Sequence, residues 1–200
     1  NEGGILPIKN VRKILVVGEN AVKMMTVGGG SSSLKVKNEV SPLEGIRERF
    51  ADAKVVYERG YVGDASGQFD GVTTGQDLSE SRSAEKLISD AVAAAKDADY
   101  VIFIGGLNKS DHQDSEGNDR ESYDLPYSQN AVIEALAAAN PKLVVVNISG
   151  NAVAMPWADK VPGIVQDWYL GSEAGHSLAD VLSGDVNPSG KLPFTIGATL

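Results

Sequence analysis

Five carboxylates, one histidine and one arginine fall within the eleven residues Asp111-His112-Gln113-Asp114-Ser115-Glu116-Gly117-Asn118-Asp119-Arg120-Glu121. Carboxyl groups packed this closely raise one another's pKa, and that is how a glutamic acid stays protonated near neutrality and acts as a general acid. The same composition suits a solvated acidic loop. Calcium is a third reading, but the ligand order does not follow a helix–loop–helix calcium site. Position argues for chemistry: the segment comes directly after the apolar run Tyr100-Val101-Ile102-Phe103-Ile104. If that run is a parallel strand, the loop opens at the carboxyl edge of the sheet, where α/β folds hold ligands.

Other chemistries find less support. The chain has no cysteine, so disulfides, thiolate metal sites and cysteine nucleophiles are excluded. His112 and His176 lie too far apart for the usual zinc spacing, and no metal or cofactor is expected. No Gly-x-Ser-x-Gly elbow follows a strand. Gly18-Glu19-Asn20 ends an apolar run but lacks the later glycines of a dinucleotide fingerprint, and Gly28–Ser33 lacks the Gly-Lys-Ser/Thr ending of a phosphate loop. The formal net charge of −9 argues against nucleic acid and anionic membrane as main partners. No apolar run approaches the ~18 residues that would cross a bilayer.

The elements that would position the acidic segment alternate between strand and helix patterns, the mark of a parallel sheet clothed in helices. Strands are expected at Ile14–Val17, Lys54–Tyr57, Tyr100–Ile104, Leu143–Ile148 and Gly163–Trp168, and a last short one at Leu192–Ile196. Helices are expected from Ser41-Pro42-Leu43-Glu44, which carries a serine cap, a first-turn proline and a glutamate at the third position, and over Ser83–Lys96, Ser128–Ala139 and Ser172–Ser183. Two connections, Gly60–Arg82 and Gly105–Tyr127, are longer than plain α/β units need. The expected architecture is a three-layer α/β sandwich of flavodoxin or Rossmann type, with a mostly parallel sheet of about six strands, forming a single domain over residues 1–200.

Ser115-Glu116-Gly117-Asn118-Asp119-Arg120, with Asp124-Leu125-Pro126 and Gln129 after it, resembles the second domain of family 3 glycoside hydrolases, the β-glucosidase and β-xylosidase group. The likeness runs on through Ala138-Ala139-Asn140-Pro141, Met155-Pro156-Trp157, Trp168-Tyr169-Leu170-Gly171-Ser172-Glu173-Ala174-Gly175 and Asn187-Pro188-Ser189-Gly190-Lys191-Leu192-Pro193. The opening Asn1-Glu2-Gly3-Gly4-Ile5-Leu6-Pro7 is similar to the passage from that family's first domain into its second.

The resemblance implies that Glu116 is the general acid/base of a retaining exo-β-glycosidase acting on terminal β-linked sugars. It also implies that the nucleophilic aspartate belongs to an upstream (β/α)8 barrel. That barrel and an oligosaccharide or β-glucoside are the expected partners, and a periplasmic or secreted location is expected for the full-length protein. His112, Asp114, Asp119 and Arg120 are expected to bind substrate or orient the loop, and Asp119 and Arg120 to pair with each other or fix the loop. Glu173 reads as a helix-start carboxylate, His176 as a core histidine and Trp157 as packing; Trp168 is either core or turned toward the barrel. The polar segment Gly28–Asn38 holds no tryptophan to stack on a sugar. The competing reading is a non-catalytic flavodoxin-like domain with a ligand-binding or structural role.

Overall fold

The computed structural model describes residues 1–26, 34, 36–63, 68–69, 72–110, 112–114 and 120–197. Five strands form the main sheet: β1 (Lys13–Val17), β2 (Lys54–Glu58), β5 (Tyr100–Gly106), β6 (Leu143–Ile148) and β7 (Gly163–Gln166). They lie in the order β2-β1-β5-β6-β7, and every pairing is parallel. Counting only these five strands, the order is 2-1-3-4-5, the flavodoxin type of doubly wound sheet. A two-stranded antiparallel ribbon, β3 (Gln68–Phe69) and β4 (Val72–Thr73), lies within the long connection after β2. The expected strand at Leu192–Ile196 is not formed, which leaves five strands in the main sheet rather than about six. That segment is mostly exposed and joins no ladder; Pro193 has no N–H to donate to one.

Alternation along the strands sorts the core into two faces. Leu15, Val17, Val101, Phe103, Leu143 and Val145 meet α2 (Ala84–Ala95) and α3 (Gln129–Ala139) through Ala91, Ala95, Val132, Ile133 and Leu136. On the other face, Ile14, Val16, Ile102, Ile104, Val144 and Val146 meet α1 (Pro42–Arg49) and α4 (Ala174–Ser183) through Leu43, Ile46, Leu178, Ala179 and Leu182. Both faces are apolar because both are covered, and this is why the strands read as unbroken hydrophobic runs.

Three of the helix ends follow their sequence signals. Ser41 and Glu44 form a reciprocal capping box with Pro42 in the first turn, Ser83 caps α2, and α4 ends at Gly184 in a left-handed turn. Gly45 of α1 and Gly175 of α4 sit where the two backbones touch: a methyl group on Gly45 would overlap the carbonyl of Gly175, and one on Gly175 that of Ser41. The Gly175 N–H donates to Val40 O at 3.0 Å across this crossing.

Candidate active site

The long connection after β5 begins as a tightly closed stem. The Asn108 N–H donates to Gln113 Oε1 (2.9 Å), the Ser110 N–H to Asn108 Oδ1 (2.8 Å) and the Asp114 N–H to Asn108 O (3.0 Å). Gln113 is buried, and its Nε2 donates to the Tyr127 hydroxyl at 2.5 Å, tying the start of the connection to its end. Behind the stem, Gln129 at the head of α3 continues the end of β5 like an extra strand. Its Nε2 donates to Gly106 O and its Oε1 accepts from Gly106 N–H, both at 2.8 Å.

Asp114 and Arg120 both bind the turn that follows β6. Asp114 Oδ2 accepts from the Gly150 N–H (2.6 Å) and from the Tyr169 hydroxyl (2.8 Å), and its Oδ1 accepts from Asn151 Nδ2 (2.5 Å). Arg120 Nη2 donates to Asn151 Oδ1 (2.8 Å) and to Ala152 O (2.7 Å). Asn151 therefore contacts residues on both sides of the 115–119 segment. Glu116 and Asp119 lie outside the described residues. His112 is exposed and takes a left-handed φ of 58°, uncommon for a residue with a side chain. Arg120 fastens its end of the loop to the β6 turn; the expected pairing with Asp119 lies outside the described residues.

The turn rests on a buried polar base at the ends of β6 and β7. Asn147 Nδ2 donates to Ser149 Oγ (2.9 Å) and Gln166 Oε1 (2.7 Å), Gln166 Nε2 donates to Ser149 O (3.0 Å), and Ser149 Oγ donates to Asn151 O (2.9 Å). Beyond β7, Asp167 is buried with no hydrogen-bond or charged partner for its carboxyl among the described residues, and burial pushes its pKa up to about 8. Trp168 adopts φ 51° and meets Phe194 edge-on with ring centres 5.7 Å apart. Burial, and secondarily the Asp114 charge, hold the Tyr169 phenol well above its ordinary range, so it remains a donor to Asp114. Lys109 Nζ lies 4.7 Å from the centre of the Tyr169 ring.

The crevice where the strand order reverses, between β1 and β5, is filled from within. Gly18 has a φ of 123°, and a side chain there would strike the Ile104 carbonyl. A single 3₁₀ turn, Glu19–Ala21, follows it instead of a full helix. Glu19 is fully buried; its Oε2 accepts from Arg59 Nη2 (2.7 Å) and the Gly63 N–H (2.6 Å), and Lys23 Nζ is 3.6 Å from its Oε1. Asn20 Nδ2 donates to Leu107 O at 2.9 Å. This ion cluster ties the long β2–α2 connection to β1, and it leaves the β1 turn without the helix N-terminus that a bound phosphate would use.

One single-residue expectation changes. His176 is not a core residue: it is half-buried at the surface and bridges two helices, with Glu48 Oε2 2.9 Å from Nε2 and Glu173 Oε2 2.7 Å from Nδ1. Both contacts hold its pKa above the usual value. Glu173 does sit at the start of α4, and Trp157 is wholly buried with its Nε1 donating to Asn130 Oδ1 (2.8 Å). Sequence reasoning did not single out Asn151, Tyr169, Gln113 or the Glu19 cluster as functional. The one signal for Asn151 was its place just past a buried strand on the same edge as the acidic loop. Among the described residues no group of three or more histidine and acidic side chains is arranged to hold a metal ion, and no helix is long and apolar enough to cross a membrane.

A doubly wound α/β sandwich with a loop cluster built at the carboxyl ends of its last three strands defines the class. The glycosyl hydrolase family 3 C-terminal domain matches residues 1–200, and the chain belongs to that family. It is 51% identical over 190 residues to the β-glucosidase BoGH3A of Bacteroides ovatus, covering 95% of this chain and 25% of that protein. It is 54% identical over 113 residues to the probable β-glucosidase H of Aspergillus flavus, covering 55% of this chain and 13% of that protein. The crystal structure of the Bifidobacterium adolescentis GH3 β-glucosidase superposes with a TM-score of 0.81 at 34% identity, over 100% of this chain and 27% of that one. The fold also matches a Kluyveromyces marxianus β-glucosidase, with a TM-score of 0.85 at 23% identity over 100% of this chain and 39% of that one. The chain thus spans about a quarter of the first of these curated relatives.

Proposed function

We propose that this chain is the acid/base-bearing domain of a retaining exo-β-glycosidase of β-glucosidase type, working against an upstream (β/α)8 barrel that supplies the nucleophilic carboxylate. The observation that carries this reading is the 51% identity to a β-glucosidase across nearly the whole chain. The stem geometry supports it: Asp114 and Arg120, on the two sides of Glu116 in sequence, are both fastened to the β6 turn. A proton donor must be held within hydrogen-bond reach of the departing oxygen, so anchored flanks suit an acid/base loop.

Glu116 acts twice. In the first step the barrel carboxylate attacks the anomeric carbon and forms a glycosyl ester as the glycosidic C–O bond breaks, and the Glu116 carboxyl proton passes to the departing oxygen, so the aglycone leaves as a neutral alcohol. In the second, the Glu116 carboxylate takes a proton from water as the water oxygen attacks that carbon and releases the barrel carboxylate. Retention of this kind needs the two carboxyl groups ~5–5.5 Å apart. Asp114, Arg120, His112 and Asp119 orient the loop or contact the sugar.

The test is Glu116→Gln in the full-length gene product. Cleavage of a glucoside with a poor leaving group should fall by ~10²–10⁴-fold in kcat/KM, the usual worth of general acid–base assistance, while a dinitrophenyl glucoside is far less affected. Added azide should restore turnover and yield a glucosyl azide, since azide attacks without needing a base. Equal losses on both substrates with no azide product would remove Glu116 from the acid/base role.

A further inference from the structure

We infer that Asn151 is a positioning residue for the acid/base loop, a clasp that sets the distance between its two stems. The inference rests on the proposed role of Glu116 and adds a residue to it. The carboxamide of Asn151 is bonded on both sides at once: Nδ2 donates to Asp114 Oδ1 at 2.5 Å, and Oδ1 accepts from Arg120 Nη2 at 2.8 Å. Only one orientation of the amide satisfies both partners, because a carboxylate cannot donate and a guanidinium cannot accept. The side chain that bridges these two groups must therefore both donate and accept while staying neutral.

Asn151 is exposed, yet its backbone is tied to the end of the sheet. Ser149 Oγ holds the Asn151 carbonyl, and Ser149, itself buried, in turn receives bonds from Asn147 and Gln166 at the ends of β6 and β7. Two neighbouring bonds fasten the same stems from other directions, Gly150 N–H to Asp114 and Arg120 to Ala152 O. Asn151 is the only one of these groups that touches both stems. Removing it should leave each stem attached and their separation loose, which affects proton transfer more than folding or sugar affinity.

The experiment compares wild type, Asn151→Ala, Asn151→Asp and Glu116→Gln in the full-length protein, on phenyl and 2,4-dinitrophenyl β-glucosides. Asn151→Ala is expected to lower kcat/KM for the phenyl glucoside about tenfold, a fraction of the full general-acid effect, and to change the dinitrophenyl value less than about twofold. Competitive inhibition by glucose should be unchanged. Asn151→Asp keeps the shape and the Arg120 bond, loses the donor to Asp114 and should show the same bias between substrates, so it also serves if the alanine variant fails to fold. If Glu116→Gln shows the leaving-group bias and neither Asn151 variant does, the clasp is overturned while the acid/base reading stands. If Glu116→Gln shows no bias, the acid/base reading fails and the clasp with it.

Discussion

At the scale of single residues, two carboxyl groups of the carboxyl edge stand in opposite surroundings. Asp114 accepts from three donors, whereas Asp167, one step beyond β7, has burial acting on its carboxyl and no offsetting partner among the described residues. A carboxyl with a folded-state pKa near 8 favours the neutral form in the folded protein. Its contribution to stability is complete below the ordinary carboxylate range near 4 and is lost as pH rises through about 8. Asp167→Asn, neutral at every pH, should abolish that slope. Thermal midpoints of the two proteins, compared at pH 5 and pH 9, should diverge by a few °C in favour of the variant at the higher pH. Parallel midpoint curves would show that the Asp167 carboxyl is solvated. His176 works in the opposite sense: its raised pKa makes the Glu48–His176–Glu173 bridge strongest below the ordinary histidine range, and the bridge weakens as pH rises through the shifted value. Lying at the surface among partly exposed partners, it is worth no more than ~1 kcal/mol.

The crossing of α1 and α4 decides how closely one helical layer sits on the sheet. It depends on two glycines whose backbones touch, and on N–H to carbonyl bonds between Val40, Ser172 and Gly175. Gly175→Ala would drive a methyl group into the Ser41 carbonyl, next to the Ser41–Glu44 capping box. Overpacking usually costs about 1–3 kcal/mol, and backbone on both sides leaves no flexible side chain to yield. A destabilisation of about 2 kcal/mol or more is expected in denaturant unfolding. A change below about 0.5 kcal/mol would mean that the helices can slide apart freely. The Glu19–Arg59–Lys23 cluster has the matching role on the other side of the edge, where it fastens the β2–α2 connection with buried charge.

At the scale of the whole molecule, a retaining mechanism needs two carboxyl groups on either side of one anomeric carbon. In the proposed reading this chain brings one of them. The purified 200-residue chain should therefore turn over no aryl β-glucoside under conditions where the full-length gene product does, because an acid without a nucleophile can neither form nor hydrolyse a glycosyl ester. Hydrolysis by the chain alone, lost on Glu116→Gln, would overturn the two-domain site.

Much of the architecture was legible in the sequence because it depends on local signals. Period and capping placed five strands and four helices, since the apolar runs Leu143–Ile148 and Tyr100–Ile104 can be buried only between two helical layers, and Ser41-Pro42 and Gly184 mark helix ends by their own backbone preferences. The family was legible too, from motifs spread over the chain, and with it the residue proposed as the acid. Leu192–Ile196 shows where this reasoning fails: its composition suits a strand, but pairing needs a partner edge, and composition does not say whether one is met. The clasp and the Glu19 cluster were invisible for the same reason. Asn151 and Tyr169 are distant in sequence from Asp114 and Arg120, as Arg59 is from Glu19 and Lys23, and all are ordinary as residue types. What joins them is the parallel sheet, which delivers the ends of β5, β6 and β7 to one edge and those of β1 and β2 beside it. Local sequence determined which elements form; only the tertiary arrangement decided which polar groups face one another, because hydrogen bonds and ion pairs form between neighbours in space, whatever their separation along the chain.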